Sequence, residues 1–263
     1  MDKGFWDSQI EYLRSTRKQM WNDDYFEFLV KVVWKLDRPI KIIDFGCGYG
    51  FLGLKLLPLL PRGSSYTGLD TGEALLQEAR GIYEQLPYRS DFLLEDITAF
   101  TPKPQYDLAI CQSVLRHLPD AVGVLKRMID AVVPGGLVIC IEPNRAMEEA
   151  GFYSNGTKEE AIDRMVTRKQ RWDAEQSAGG RDYQQGIKVP VYMQELGLEK
   201  VEVRINDFVE LLDPSSRSGG ENRPDRLELL FKERGIAPEG KVENIFAVNA
   251  RCHMISYGYK SDF

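Results

Sequence analysis

The sequence has few of the residues that bind metals or cross-link a chain. Its 263 residues include only two histidines and four cysteines. The cysteines stand at positions 47, 111, 140 and 252, and no two of them form a C-x-x-C pair. Zinc sites and disulfide frameworks need such residues at short, regular spacing. We therefore expect neither a metal site nor a disulfide framework, and a reducing cytoplasmic location is the default.

Long apolar runs and an excess of positive charge are also absent. No stretch approaches the roughly 20 apolar residues of a membrane-spanning helix. The opening MDKGFWDSQI lacks the basic start and apolar run of a signal peptide. The net charge is −6 and the pI is about 5.2, whereas general nucleic-acid binding needs many Lys and Arg side chains against phosphates. The pattern favours neither a membrane protein nor a nucleic-acid-binding protein, and it selects no oligomeric state.

Strand and helix patterns alternate through the middle of the chain. Apolar runs indicate strands, with helically spaced segments between most of them, at 41–46, 64–70, 90–96, 106–111 and 134–142. Strands that are apolar along their length and separated by helices are typical of a parallel sheet covered on both faces. Two later runs, 199–205 and 251–259, also indicate strands. The sequence therefore predicts an α/β fold.

Three segments fall outside that alternation. Residues 1–36 are rich in aromatic residues and predict a helical N-terminal cap over the domain formed by 37–263. Residues 145–187 and 207–248 interrupt this domain as two insertions with helical patterns. The space between the cap and the first insertion is the expected entrance to a binding site.

The stretch IIDFGCGYGFLG, residues 42–53, predicts a glycine-rich turn after the first strand. Gly46, Gly48 and Gly50 give G-x-G-x-G, whereas Gly48, Gly50 and Gly53 give the G-x-G-x-x-G of dinucleotide binders. Both registers let the backbone approach a ligand closely, so the glycines alone do not select the cofactor.

Two aspartates near this turn separate the candidate cofactors. Asp44 lies beside the place where a dinucleotide's pyrophosphate would sit, and a carboxylate there repels a phosphate but attracts an ammonium group. Asp70, at the end of the second strand, can accept hydrogen bonds from ribose hydroxyls. A ligand with a ribose, an amino group and no phosphate fits both, and S-adenosylmethionine (AdoMet) is such a ligand.

The order of five motifs resembles the class I AdoMet-dependent methyltransferases, in particular their UbiE-like, small-molecule branch. The motifs are DFGCGYG, GLD, LLEDI, QSVLRHL and PGGLVICIE, and together they cover residues 40–143. The resemblance implies a Rossmann-like, doubly wound fold with a mostly parallel seven-stranded sheet, a helical N-terminal cap and helical insertions. It also selects the shorter glycine register and AdoMet as the cofactor.

The resemblance further implies which residues hold the cofactor. Asp44 would orient its amino group, Asp70 its ribose, Asp96 its adenine, and Gln112 would lie near the sulfonium. An aromatic residue of the cap, Tyr25, would contact the sulfonium by a cation–π interaction. The remaining residues implied to bind AdoMet are Gly46, Cys47, Gly48, Gly50, Thr71 and Ile97.

Four residues are candidates for the chemistry. His117, in LRHLPD, can act as a general base near neutral pH. Glu142 and Asn144 follow the fifth strand, at the edge where open α/β sheets bind ligands, and Tyr183 lies in a glycine-flanked loop that can close over a substrate.

Three functions stay open at this point. The first is methyl transfer to a small molecule by in-line attack on the sulfonium methyl. The second is cyclisation of AdoMet to azetidine-2-carboxylate with release of methylthioadenosine. The third is a non-catalytic AdoMet-binding scaffold.

Overall fold

The computed structural model describes residues 5–17, 20–158, 161–214 and 223–262. The predicted cap and both insertions are therefore described except at residues 1–4, 18–19, 159–160 and 215–222. The strands are β1 Lys41–Phe45, β2 Ser65–Asp70, β3 Arg89–Leu94, β4 Tyr106–Gln112, β5 Val132–Pro143, β6 Phe152–Ser154, β7 Glu199–Ile205, β8 Val209–Leu212, β9 Ala247–Ala250 and β10 His253–Tyr259. The α-helices are α1 Ile10–Arg17, α2 Asp23–Phe28, α3 Phe51–Leu56, α4 Glu73–Tyr83, α5 Ala121–Ala131, α6 Arg145–Ala150, α7 Ala161–Ser177, α8 Gln185–Glu195 and α9 Arg223–Arg234.

Seven strands form the central sheet, in the order β3-β2-β1-β4-β5-β10-β7. β1 to β5 are parallel, whereas β10 runs antiparallel to its neighbours β5 and β7. Each of the seven apolar runs in the sequence forms one of these strands. The predicted fold class, a mostly parallel, Rossmann-like sheet of seven strands, is confirmed.

Alternate residues of each strand enter one of two apolar cores. Ile42 and Leu108 pack with α3, α4 and the N-terminal segment, whereas the adjacent Ile43 and Ala109 pack with α5 and α8 on the other face. Burial of each such branched aliphatic side chain contributes about 1.5–3 kcal/mol. The sheet is thus a rigid central layer, and its strand order reverses between β1 and β4. That reversal is where doubly wound folds open a crevice for ligands.

The two insertions meet in a second sheet, which the sequence analysis did not anticipate. β6, from the first insertion, pairs antiparallel with β9, and β9 pairs antiparallel with β8, from the second insertion. α9 covers the buried face through a small separate core that includes Phe152, Leu230 and Phe231. On the opposite face, Tyr153 is 71% exposed and Leu211 is 63% exposed. The boundaries assigned to the cap and the insertions stay predictions.

A buried cluster of charges ties this small sheet to the helices beside it. Glu149 of α6 is paired with Arg168 at 2.9 Å and with Arg234 at 3.2 Å. Arg234 also donates to Asn249 Oδ1 at 2.7 Å and lies 4.5 Å from the centre of the Phe152 ring. A buried carboxylate is tolerated because several cations and hydrogen bonds compensate its lost hydration.

Candidate active site

A cavity of about 390 Å³ opens at the carboxyl ends of the central strands. It is lined by residues of the loops after β1, β2, β3 and β4 and by three residues of the N-terminal segment. Ten of the predicted site residues line it: Asp44, Gly46, Cys47, Gly48, Asp70, Thr71, Asp96, Ile97, Gln112 and His117. Residues that the sequence analysis missed include Trp6, Leu13, Arg17, Ser113 and Val114.

The glycine-rich turn has the conformation that requires glycine. Gly46, Gly48 and Gly50 all have positive φ angles, of 76°, 55° and 81°, where a side chain would strain the backbone. A Cβ on Gly48 would meet only Leu13 Cδ1, at 3.9 Å, so the Gly48 backbone faces open space. Gly50 does not line the cavity; it stands at the N-cap of α3.

Gly53, the last glycine of the longer register, has a packing role instead. A Cβ there would clash with the Tyr83 hydroxyl and lie 2.8 Å from Tyr66 Cε2, which is too close for two carbon atoms that are not bonded. Gly53 is buried in α3 and is not among the residues that line the cavity. Gly46 and Gly48 do line it, and the choice of the shorter register stays a prediction.

Asp44 presents a buried carboxylate with one free oxygen. The Tyr66 hydroxyl donates to its Oδ2 at 2.5 Å, but Oδ1 is buried without any hydrogen-bond partner. Burial raises the pKa of Asp44 to about 7, although the bond from Tyr66 opposes the shift. A buried oxygen without a donor is costly, so this position favours a ligand that brings its own cation, such as an ammonium group.

Asp70 and Asp96 end two neighbouring strands and both line the cavity. Asp70 accepts backbone hydrogen bonds from Gly48 at 2.8 Å and Gly72 at 2.9 Å, and burial raises its pKa. Asp96 Oδ1 accepts from the backbone and hydroxyl groups of Thr98, at 2.9 and 2.7 Å. Each carboxylate oxygen has a second lone pair, so both side chains can still accept from a sugar or base.

Gln112 and Ser113 form the wall after β4. The Gln112 amide donates to Met20 Sδ at 2.9 Å, and Arg17 Nη1 donates to the same sulfur at 3.4 Å. Ser113 has a φ angle of 58°, which is uncommon for a residue with a side chain. Its backbone N–H donates to Ile141 O at 2.8 Å, which ties this strained turn to β5. Such strain is found where a site holds a backbone in place for its ligand.

The described part of the N-terminal segment, residues 5–17 and 20–36, lies over the cavity, and we refer to it as the lid. Trp6, Leu13 and Arg17 line the cavity from this side. The Trp6 ring meets the ring of His117 edge-on, with centroids 5.1 Å apart. The lid therefore contacts the cavity wall that the segment after β4 forms.

The carboxylate of Asp7 is one of the groups that tie this lid to α4, together with the ion pair of Arg14 and Glu78. Asp7 Oδ1 accepts hydrogen bonds from the backbone N–H groups of Ala74 at 3.1 Å and Leu75 at 3.3 Å. These groups belong to the first turn of α4, whose own N-cap, Gly72, has no side chain to accept them. Asp7 thus caps a helix that begins 66 residues later in the chain.

His117 and Glu142 lie close to the cavity but are held by other groups. His117 Nε2 accepts from Arg116 Nε at 3.0 Å, and burial together with nearby arginines lowers the pKa of His117 to about 3. Glu142 Oε1 accepts from the backbone N–H groups of Val114 and Leu115, both at 2.8 Å, and burial raises its pKa to about 7. Glu142 therefore anchors the loop after β4 to β5. The base role of His117 stays a prediction, and both its pKa and its occupied Nε2 weigh against it.

The structure places three other predicted site residues away from the cavity. Asn144 Oδ1 accepts from the Met147 backbone at 3.2 Å and caps α6. The Tyr183 hydroxyl donates to Glu175 at 2.8 Å, and its ring stacks on Trp172. Local capping and stacking hold these two side chains, neither residue lines the cavity, and their roles in the chemistry stay predictions.

Tyr25 is the third. Its hydroxyl donates to Ile205 O at 3.0 Å. The buried face of this helix is formed by Phe26, Leu29 and Val30, one position along from Tyr25. Trp6, and not Tyr25, is the aromatic lid residue that lines the cavity.

The family model described as "Methyltransferase domain" matches residues 36–188, which span β1 to β6 and include every strand whose end lines the cavity. The chain belongs to this methyltransferase family. Methyltransferases of this class take their methyl group from AdoMet, and AdoMet is the cofactor. The cavity fits it, because the unpartnered Asp44 Oδ1 suits its ammonium group, the open Gly48 backbone admits its methionine portion, and Asp70 offers free lone pairs to its ribose.

Curated relatives match less than half of the chain. The chain is 34% identical over 124 residues to a ubiquinone biosynthesis O-methyltransferase of Stutzerimonas stutzeri, an alignment that covers 45% of this chain and 50% of that protein. The chain spans about half the length of the curated relatives it matches. The sequence therefore shows the family. The substrate of these relatives is a property of those proteins and is not carried over to this chain.

Solved structures extend the likeness to nearly the whole fold. A methyltransferase of Haloferax volcanii, solved in complex with its Trm112 activator, superposes with a TM-score of 0.61 and 13% identity, covering 98% of each chain. A phosphoethanolamine N-methyltransferase of Haemonchus contortus, solved with AdoMet, gives 0.53 and 14% identity over 90% of this chain and 52% of that chain. At such identities the likeness concerns the fold.

Among the described residues, no group of three or more His, Cys, Asp or Glu side chains is placed to hold a metal ion. No helix in the described ranges is both long and apolar enough to cross a membrane.

Proposed function

We propose that this protein transfers the methyl group of AdoMet to a small-molecule acceptor. One observation carries the proposal: the same cavity is lined by the glycine turn and Asp44, whose Oδ1 is buried without a partner, and by Trp6 and His117. A cofactor and an acceptor can therefore meet in one space that the lid helps to enclose. The relatives' names support a biosynthetic methyl transfer of this kind.

Asp44 and Arg17 are proposed to bind the two charged ends of the cofactor's amino-acid portion. Asp44 would bind the ammonium group through its free Oδ1. Arg17 also lines the cavity, and no described residue forms an ion pair with it, so its guanidinium is available to the carboxylate. Asp70, with Thr71, is proposed for the ribose and Asp96, with Ile97, for the adenine. Gly46, Cys47, Gly48 and Gln112 would line the methionine portion, while Gly50 supports the turn.

When bound, AdoMet supplies a methyl group on a sulfonium that is already strongly electrophilic. The protein's task is then alignment, proximity and exclusion of water, which together reduce barriers by about 7–11 kcal/mol in well-oriented systems. The strained turn at Ser113 and the lid residue Trp6 are suited to this task, because each is fixed by contacts on a second element.

A proton on the acceptor has two candidate recipients in this region. Glu142 has a pKa of about 7 and an unpartnered Oε2, but it is fully buried and does not line the cavity. His117 lines the cavity, but its pKa of about 3 makes it a weak proton acceptor near neutral pH. A general base must lie within hydrogen-bond reach of the proton it takes, so we propose that alignment carries the reaction and that Glu142, Asn144 and Tyr183 support the loops around the cavity.

A cytoplasmic location is part of the proposal. The four cysteines are free and buried, as expected for a reducing compartment, and the net charge of −6 favours a small molecule over a nucleic acid as the acceptor.

The test is mass spectrometry of the products formed from AdoMet, first alone and then with a metabolite extract. S-adenosylhomocysteine that forms only with the extract is the expected result. Methylthioadenosine formed from AdoMet alone, above the rate without protein, would instead indicate cyclisation. AdoMet that binds but yields neither product would indicate a non-catalytic scaffold, and no observation of the structure favours either of these two outcomes.

A further inference from the structure

Four arginines lie near His117, a residue that lines the cavity, and of the four only Arg17 lines the cavity itself. Arg116 and His117 are adjacent in the chain, and Arg17, Arg116 and Arg181 all lower the pKa of His117 after the effect of burial. Arg145 in turn lowers the pKa of Arg116. The arginines are therefore close enough to repel one another, and each needs an anionic partner.

Two of these arginines have acidic partners within the protein. Arg145 is paired with Glu148, and Arg181 with Glu175 at 2.8 Å. The proposed function assigns Arg17 to the carboxylate of the cofactor. Arg116 is paired with none of these anionic groups.

Arg116 is buried without a counter-ion. The residue is only 8% exposed, its Nε donates to His117 Nε2 at 3.0 Å, and no described residue forms an ion pair with it. Its Nη groups make no hydrogen bond to the protein, yet they are not among the sealed, unpartnered atoms. They therefore reach solvent-accessible space, where a ligand can meet them.

The nearest carboxylate does not neutralise Arg116. Glu142 Oε1 is bound to two backbone N–H groups, and its pKa of about 7 leaves it partly protonated at neutral pH. The sulfonium of bound AdoMet adds a further positive charge to the region. A buried guanidinium without an acidic partner costs several kcal/mol, and a planar fork of donors fits a carboxylate or phosphate.

We propose that the methyl acceptor carries an anionic group, a carboxylate or a phosphate, and that Arg116 binds it. This inference rests on the proposed function, since it names the chemical class of the acceptor for that reaction. Arg116 then selects the substrate, and its contact with His117 orients the guanidinium.

The first experiment uses a metabolite extract separated by anion exchange at neutral pH. The fraction retained on the anion exchanger and the unretained fraction are each incubated with the protein and AdoMet, and S-adenosylhomocysteine is measured. Product from the retained, anionic fraction is expected, and phosphatase treatment of that fraction distinguishes a phosphate from a carboxylate. Product from the unretained fraction alone would overturn this inference but leave methyl transfer standing, whereas no product from either fraction would count against methyl transfer itself.

The second experiment uses the acceptor purified from the active fraction. Arg116→Gln is expected to raise the acceptor KM about tenfold to a hundredfold, the effect of losing a charged hydrogen bond, and to leave the KM for AdoMet within about twofold. Arg116→Lys keeps the charge and should restore part of the affinity. Arg62→Gln, at an exposed position, is the control, and AdoMet binding verifies that each variant is folded. An acceptor KM for Arg116→Gln equal to that of the control would refute the inference.

Discussion

The lid should depend on the carboxylate of Asp7. This side chain accepts two backbone hydrogen bonds from the first turn of α4, at 3.1 and 3.3 Å. Loss of a helix cap costs about 1 kcal/mol, within a range of about 0.5–2 kcal/mol, and loss of a negative charge at a helix N-terminus adds about 0.3–1 kcal/mol. Asp7→Ala should therefore weaken closure of the lid by about 1–2 kcal/mol.

This loss should be measurable as weaker cofactor binding. If the lid closes over the bound cofactor, about 1–2 kcal/mol corresponds to a roughly fivefold to thirtyfold increase in the Kd of S-adenosylhomocysteine, measured by isothermal titration calorimetry. The dissociation rate should rise by a similar factor, because the lid covers the exit. Asp7→Asn keeps an acceptor oxygen but removes the charge, so its effect should be smaller.

The matched control is another acidic residue of the same lid. Glu27 is exposed and pairs with Lys31 inside the segment, so Glu27→Ala removes the same charge without touching α4. Solute quenching of tryptophan fluorescence adds an independent readout, since Trp6 should become more accessible in Asp7→Ala. Equal Kd values for Asp7→Ala and Glu27→Ala, with no change in quenching, would refute the idea that Asp7 holds the lid closed.

Three further predictions concern the turn, its carboxylate and the second sheet. Burial raises the pKa of Asp44 to about 7, so affinity for S-adenosylhomocysteine should rise about eightfold from about pH 6 to about pH 7.5 as the carboxylate ionises. Asp44→Asn should abolish this rise. Without cofactor, the same pKa shift should make the contribution of Asp44 to the unfolding free energy fall between about pH 4 and about pH 7. Gly53→Ala, which places a Cβ against Tyr66, should lower the unfolding free energy by about 1–3 kcal/mol in urea titrations, and an unchanged stability would contradict the packing role. Glu149→Gln leaves Arg168 and Arg234 without their carboxylate and should lower the unfolding free energy by about 3–5 kcal/mol. Amide-exchange protection should be lost in β9, with little change in cofactor affinity. A uniform loss of protection across both sheets would contradict the local role.

The sequence predicted the central sheet because its strands are long, apolar and locally defined. The cofactor end was predictable for the same reason: Asp44, Asp70 and Asp96 each end or closely follow a strand, and parallel strands bring their carboxyl ends to one edge. The choice between glycine registers needed more than spacing. In the sequence it depended on the family resemblance, and the structure adds that Tyr66, which is distant in sequence, fills the space beside Gly53.

The acceptor end was less predictable, since it depends on contacts between distant segments. A lid of aromatic residues was expected, but helical periodicity does not say which of them reaches the cavity. Trp6 does so because Asp7, beside it, docks on α4, while Tyr25 is directed to Ile205. Asn144 and Tyr183 were also hard to place, because the sequence does not show that Asn144 caps α6 or that the Tyr183 ring stacks on Trp172.

Neither sheet can be completed until β9 and β10, the last two strands of the described chain, have been synthesised. β9 is the middle strand between β6 and β8, and β10 separates β5 from β7. While a ribosome is still adding residues before Ala247, β6, β8 and β7 lack their partners, and the apolar edge of β5 stays open. Unpaired edges of this kind recruit other chains. A growing chain of this protein therefore has a long period of exposure, and any truncation before Ala247 should yield an aggregation-prone species and not a smaller folded domain.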